Sequence, residues 1–225
     1  MIPADSATYR RPNPPGSWGT ARVPGLAWGM ATYRVGYFVG SLSSTSINRE
    51  LSKVLVNVAP QDLDLHEIPI RNLPLYSPDY DSAYPPEAMA LKDAIQQSQA
   101  ILFVTPEYNR SIPGALKNAI DWASRPWGMN SFDHVPTAVI GASIGQIGTA
   151  LAQQSLRGVL SFCNARQMTA PEAYIAFNPQ TFPGEGRVTD RATQSFLETF
   201  MNEFREHIVR VLTVLPRHEY AAQTP

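Results

Sequence analysis

Residues Ile101–Arg125 read ILFVTPEYNRSIPGALKNAIDWASR. The segment opens on an unbroken apolar run, Ile101-Leu102-Phe103-Val104, the mark of a strand covered on both faces. A polar turn follows. Leu116, Ala119, Ile120 and Ala123 then recur three or four apart, which puts them on one helical face. Ser111 is the expected cap of that helix, with Pro113 and Gly114 in its first turn, where a missing N–H costs little. Pro126 biases Arg125 away from helical geometry and ends it. In open α/β sheets ligands bind outside the carboxyl ends of the strands, so Thr105–Arg110 stands where a ligand would.

Outward from this unit the pattern repeats. Tyr33–Val39 reads as a buried strand, followed by a helical stripe of Ile47, Leu51, Val54, Leu55 and Val58. Asp62–Ile68 alternates polar and apolar, as a half-buried strand does. Ile70–Pro86 is broken by prolines and reads as a long loop, a feature that usually covers something. A helix is expected over Glu87–Gln99, with Leu91, Ala94, Ile95 and Ser98 on one side. Thr137–Ala142 is another strand, and Ala152, Leu156, Val159, Leu160 and Cys163 mark the next helix. A short strand near Ala165–Met168 completes the sheet. Asp190 caps a final helix that keeps Leu197, Phe200, Met201, Phe204, Ile208, Val211, Leu212 and Leu215 on one face. Such alternation predicts a three-layer α/β sandwich, flavodoxin-like, with a five-stranded parallel sheet in the order 2-1-3-4-5.

Composition narrows the partners. The 225 residues carry a formal net charge of −1, which gives no electrostatic reason to expect nucleic acid or an anionic membrane. No run approaches the ~18 consecutive apolar residues that cross a bilayer. The single cysteine, Cys163, rules out an internal disulfide, and His66, His134, His207 and His218 show no metal-ligand spacing. No metal is expected. Arg10-Arg11 is followed by Pro12-Asn13-Pro14-Pro15 where an export signal needs an apolar region, so a cytoplasmic setting is expected. Residues 1–29 hold five prolines and four glycines without periodicity. They are either an irregular arm or lie ahead of a biological start at Met30, the second reading being preferred. The domain is expected over residues 30–217, with a tail at 218–225.

Three loops carry the chemistry. Ser41–Asn48 places five hydroxyl residues and an asparagine ahead of a helix N-terminus, where N–H groups and the helix dipole favour a phosphate. Neither GxxxxGK[ST] nor GxGxxG is present, which leaves a monophosphate ester or an ordinary helix cap. Thr105–Arg110 offers the aromatic face of Tyr108 and, from Asn109 and the backbone, donors for a heterocycle. Ser143–Gly148 adds two glycines that permit close backbone approach to a flat ring. All three leave the same end of the predicted sheet.

The segments GSLSSTSINREL, TPEYNRSIPGALKNAIDWASRP and GASIGQIGTALAQQSLRGVL resemble the flavin-binding segments of the NAD(P)H-dependent FMN reductase family. That family includes chromate, quinone and azo-dye reductases, and PEYNR with ASRPWGMNSF is most similar to its bacterial ferric/quinone reductase subgroup. The resemblance implies a flavodoxin-like fold, FMN as cofactor and NADH or NADPH as cosubstrate. It also implies a dimer or tetramer with active sites at the dimer interface. Ser41, Ser46, Ile47 and Asn48 would hold the FMN phosphate. Pro106, Glu107, Tyr108, Asn109 and Arg110 would flank the isoalloxazine, with Ser143, Gly145 and Gln146 on its other edge. A hydride would pass through flavin N5 to a quinone, chromate, ferric chelate or azo compound in a ping-pong cycle. Arg110 is assigned to flavin or substrate electrostatics. Two positions depart from the family: an arginine common there is Ser43 here, and a common tyrosine is Arg110. A flavodoxin-type electron carrier and a flavin-binding regulator without turnover are the competing readings.

Overall fold

The computed structural model describes residues 32–215. Strand β3, Ala100–Val104, is buried at every residue and is flanked by a strand on each side. On one side lies β1, Tyr33–Val39, with Val39 opposite Val104; on the other lies β4, Pro136–Ser143, with Val139 opposite Phe103. Strand β2, Leu63–Glu67, pairs with β1, and the two-residue β5, Arg166–Gln167, pairs with the start of β4. All pairs are parallel, and the order is β2-β1-β3-β4-β5, as the alternation of elements predicts.

Among the described residues five α-helices cover the sheet: α1 (Ile47–Val58), α2 (Pro86–Gln96), α3 (Gly114–Ala123), α4 (Ala150–Phe162) and α5 (Arg191–Val214). Successive side chains of a strand point to opposite faces, so β3 feeds two cores. Ile101 and Phe103 join Phe38, Ile95, Leu116, Trp122 and Leu156 beneath α2, α3 and α4. Leu102 and Val104 join Val35, Leu51, Leu55, Phe200 and Phe204 beneath α1 and α5. Each such side chain contributes about 1.5–3 kcal/mol on burial. Phe38 and Phe103 stack at 5.2 Å between ring centroids, tying β1 to β3 beside the site end of the sheet.

Three details differ from the sequence reading, while Cys163 is buried as expected. A sixth short strand, β6 (Tyr174–Ala176), pairs with Gly141–Ser143 and continues the edge that β5 begins. Pro171, which has no N–H to give a ladder, lies between the two. Ser111 does not cap α3: Pro113 is the N-cap, while Ser111 is held in a tight turn described below. Helix α2 ends at Gln96, leaving Ser98 beyond it with its hydroxyl donating to the Ala94 carbonyl at 2.7 Å. Cys163 caps the end of α4 and is buried, and that burial pushes its thiol pKa up, the reverse of an activated nucleophile. The expectations for residues 1–29 and 218–225 lie outside the described residues.

Candidate active site

Strand register brings the three loops together. Val39 faces Val104 and Val104 faces Ile140, so the turns after β1, β3 and β4 leave side by side. In the first loop Ser46 is the N-cap of α1, its Oγ accepting from Arg49 N at 3.2 Å. Ser41 Oγ accepts from Ser43 N at 3.3 Å, and Ser43 Oγ accepts from Thr45 N at 3.2 Å. The loop is thereby shaped by its own hydroxyls, and a hydroxyl that accepts still has its proton to give. The N–H groups of Ile47 and Asn48 lie in the first helical turn, where no intrahelical carbonyl reaches them.

Asn48 is placed differently from its neighbours. Its side chain is buried, with Nδ2 donating to the Ala142 carbonyl and Oδ1 accepting from Ala142 N, both at 2.8 Å. The carboxamide therefore joins the first loop to the end of β4. The backbone N–H of Asn48, in the first turn of α1, is free of any intrahelical partner.

The second loop is a two-residue hairpin. Tyr108 and Ser111 exchange backbone hydrogen bonds of 3.0 Å, and Asn109 and Arg110 between them have φ of 52° and 64°. Positive φ at both central residues defines a type I′ turn; asparagine adopts it readily, whereas arginine does so at some strain. Ser111 Oγ lies 3.0 Å from Ser155 Oγ of α4. Glu107 turns the same way: its Oε2 accepts from Leu151 N at 3.0 Å and Ala152 N at 3.1 Å. Thr149, the N-cap of α4, makes no side-chain capping bond, so Glu107 caps that helix from 44 residues away. The Arg110 guanidinium is two-thirds exposed and 3.6 Å from Glu107 Oε1.

The third loop packs directly on the second. A Cβ at Gly141 would lie 2.0 Å from the Thr105 carbonyl and 2.2 Å from Thr149 Oγ1, so only glycine lets β4 pass there. Ser143 Oγ donates to the Gly148 carbonyl at 2.6 Å and accepts from Gly145 N at 3.2 Å, closing the loop on itself. At Gly145 a Cβ would meet nothing nearer than Ser143 Oγ at 3.6 Å, and Gln146 is exposed. Around the three loops Leu42, Tyr108, Ile144, Ile147 and Leu151 present apolar surface to solvent. Such surface beside a few polar groups suits a flat, mostly apolar ligand.

Sequence reasoning missed the cap made by Glu107 and the bridge made by Asn48, because both depend on contacts across the sheet. It also missed Arg71, which follows β2 and donates from Nη2 to the Leu42 carbonyl. A single arginine in a proline-rich loop gave no signal. A cleft of about 1240 Å³ lies at the other end of the sheet, beside Gln99, Asp133 and His134 that precede β3 and β4. There Lys92 Nζ donates to the carbonyls of Ala123, Arg125 and Met129 at 3.0, 2.6 and 2.7 Å. Burial pushes its pKa down to about 8, with Asp81 opposing. This lysine closes the end of α3, away from the loops that converge.

Known proteins resemble this chain over most of its length. The family described as NADPH-dependent FMN reductase matches residues 33–180. A 2-hydroxy-1,4-benzoquinone reductase from Burkholderia sp is 44% identical over 171 residues, covering 76% of this chain and 93% of the relative. A quinone reductase from Pseudomonas putida is 43% identical over 173 residues, covering 76% and 92%. The solved structure of FerB, a flavoenzyme NAD(P)H:(acceptor) oxidoreductase from Paracoccus denitrificans, superposes with a TM-score of 0.77 at 44% identity. It covers 80% of this chain and 98% of that one.

Proposed function

This chain belongs to the NADPH-dependent FMN reductase family, and on that premise we propose that it reduces quinones with NAD(P)H at the crevice formed by its three loops. FMN is the cofactor, and the residues present suit it. The α1 N-terminus offers two first-turn N–H groups with the hydroxyls of Ser41 and Ser46, a set that fits a phosphate monoester. The turn Pro106–Arg110 and the loop Ser143–Gln146 would hold the ring, with space beside Gly145 to admit it. When bound, FMN supplies the centre that accepts a hydride and passes electrons on.

The protein's part is to bind, orient and exclude. Tyr108 and the exposed apolar residues of the third loop give a nicotinamide or a quinone a face to lie on. Arg110, two-thirds exposed on the second turn, would place a permanent cation beside the rim where negative charge develops during reduction. A single stacking position serves donor and acceptor in turn, which makes the cycle ping-pong. Chromate, ferric chelates and azo compounds are further acceptors such an open face would admit. The apolar rim is also where a second subunit would close the site, as a homodimer or a pair of dimers. The chain's one thiol, buried and unactivated, suits a cytoplasmic enzyme.

The observation that carries this reading is the convergence of three ligand-type loops at one strand end. Initial-rate kinetics with NADH or NADPH and benzoquinone test it. Parallel double-reciprocal lines are expected; intersecting lines would contradict the shared position, and an absence of quinone-dependent oxidation would contradict the activity.

A further inference from the structure

We propose that Arg71 is the cation that pairs with the FMN phosphate and sets the preference for FMN over flavins without a terminal phosphate. The inference rests on the reading of Ser41–Asn48 as the phosphate loop. That loop contains no lysine or arginine. A phosphate monoester carries about −1.5 to −2 at neutral pH, whereas a helix N-terminus offers the equivalent of roughly +0.5. Hydroxyls bring hydrogen bonds but no charge. About one full charge is left to balance, and a cation must come from elsewhere.

Three arginines stand near this end of the sheet. Arg49 is committed, its Nη1 donating to both carboxylate oxygens of Glu67 at 2.9 and 2.7 Å. Arg110 lies on the far turn, beside Glu107. Arg71 is the third. It follows β2, the strand next to β1, so it leaves the sheet at the same end as the phosphate loop. Its Nη2 donates to the carbonyl of Leu42, the first exposed residue of that loop, and among the described residues no carboxylate is paired with it. Holding Leu42 takes one N–H of the five, and the planar fork keeps the others. The phosphate would sit between the α1 N-terminus and this guanidinium, a charged anion met from two sides.

Titration of the full-length protein, freed of flavin, with FMN and separately with riboflavin tests this by flavin fluorescence. Arg71→Met is expected to weaken FMN binding roughly ten- to a hundredfold, the effect of one charge-assisted hydrogen bond, with riboflavin changed less than about twofold. It should also flatten the salt dependence of FMN binding, since the pair is exposed. Arg71→Gln keeps a donor for Leu42 but no charge, and should bind FMN as weakly as the methionine variant; Arg71→Lys should recover part. Far-UV circular dichroism confirms that each variant is folded. FMN affinity unchanged in Arg71→Met, or restored fully in Arg71→Gln, would overturn the proposal, the latter showing only a loop clamp. A wild-type protein that binds riboflavin as tightly as FMN would instead overturn the phosphate-loop reading beneath it.

Discussion

Asn48 and Ala142, 94 positions apart, exchange two hydrogen bonds of 2.8 Å, side chain to backbone in both directions. A carboxamide carries a donor and an acceptor on separate atoms side by side, as a peptide group does, so it pairs with the strand as another strand would. The bond fixes the start of α1 against the end of β4. Two of the three site loops therefore move as one body.

Asn48→Ala removes both partners of a buried N–H and a buried carbonyl. Each group left unsatisfied costs about 1–3 kcal/mol, so the unfolding free energy should fall by roughly 2–6 kcal/mol. Urea denaturation measures it. Asn48→Asp should cost a similar amount, because its oxygens accept from Ala142 N but repel the Ala142 carbonyl. A variant as stable as the wild type would remove the bridge from the account.

Glu107→Ala should cost about 1–2 kcal/mol of stability, the usual loss of a helix N-cap. Glu107→Gln keeps an acceptor for Leu151 N and Ala152 N and loses only the charge at the helix terminus, so it should cost about 0.3–1 kcal/mol. FMN affinity should fall in the alanine variant, where the Tyr108–Ser111 turn is no longer tied to α4. The order Ala, Gln, wild type in both readouts is the expected outcome, measured by urea unfolding and flavin titration.

The fold was legible where one element sufficed to show it. The apolar run of β3, the stripes of α1 and α5, and the cap Asp190 follow from local spacing, and the structure has them. What sequence could not show depends on partners far along the chain. Ser111 has the chemistry of a cap, yet Asn109 and Arg110 form a hairpin turn that draws it away from the helix. Asn48 and Glu107 read as ligand contacts because their type and place suit one. Their side chains also reach across the sheet, and nothing in a linear motif records that reach. Strand β6 is three residues long, too short for a period of two to stand out.

Arg110 holds a positive φ that glycine would adopt without strain, at a cost of about 1–3 kcal/mol for a residue with a Cβ. Arg110→Gly is therefore expected to leave stability unchanged or slightly raised. Flavin reduction by NADH or quinone turnover should nevertheless slow by roughly ten- to a hundredfold, as should Arg110→Met, because about 1.4–2.8 kcal/mol of charge stabilisation is lost. Arg110→Lys should recover part. Stopped-flow reduction and steady-state turnover measure this, and wild-type rates in all three variants would leave Arg110 a surface residue.

His207 provides the pH dependence. Its Nε2 donates to the Arg166 carbonyl at 2.8 Å, tying α5 to β5. Burial lowers its pKa below the ordinary 6.5, with the Arg166 carbonyl opposing and Arg210 adding to the shift. As pH falls through 6.5 the unfolded chain takes up a proton before the folded chain does, so stability drops on acidification. His207→Gln keeps a donor for Arg166 and cannot titrate. Its stability should fall less than that of the wild type between about pH 6.5 and 5, the other histidines cancelling in the comparison. Equal slopes would show that His207 is not held in its neutral form.

The central claim is that the three-loop crevice holds FMN which NAD(P)H reduces and a quinone reoxidises. Double-mixing absorbance under anaerobic conditions reads it directly, on full-length protein loaded with FMN. The first mix, with NADH or NADPH, should bleach the visible flavin band; the second, with benzoquinone, should restore it within the turnover time. A protein that retains no FMN, or whose bound flavin neither nicotinamide bleaches, would contradict the account.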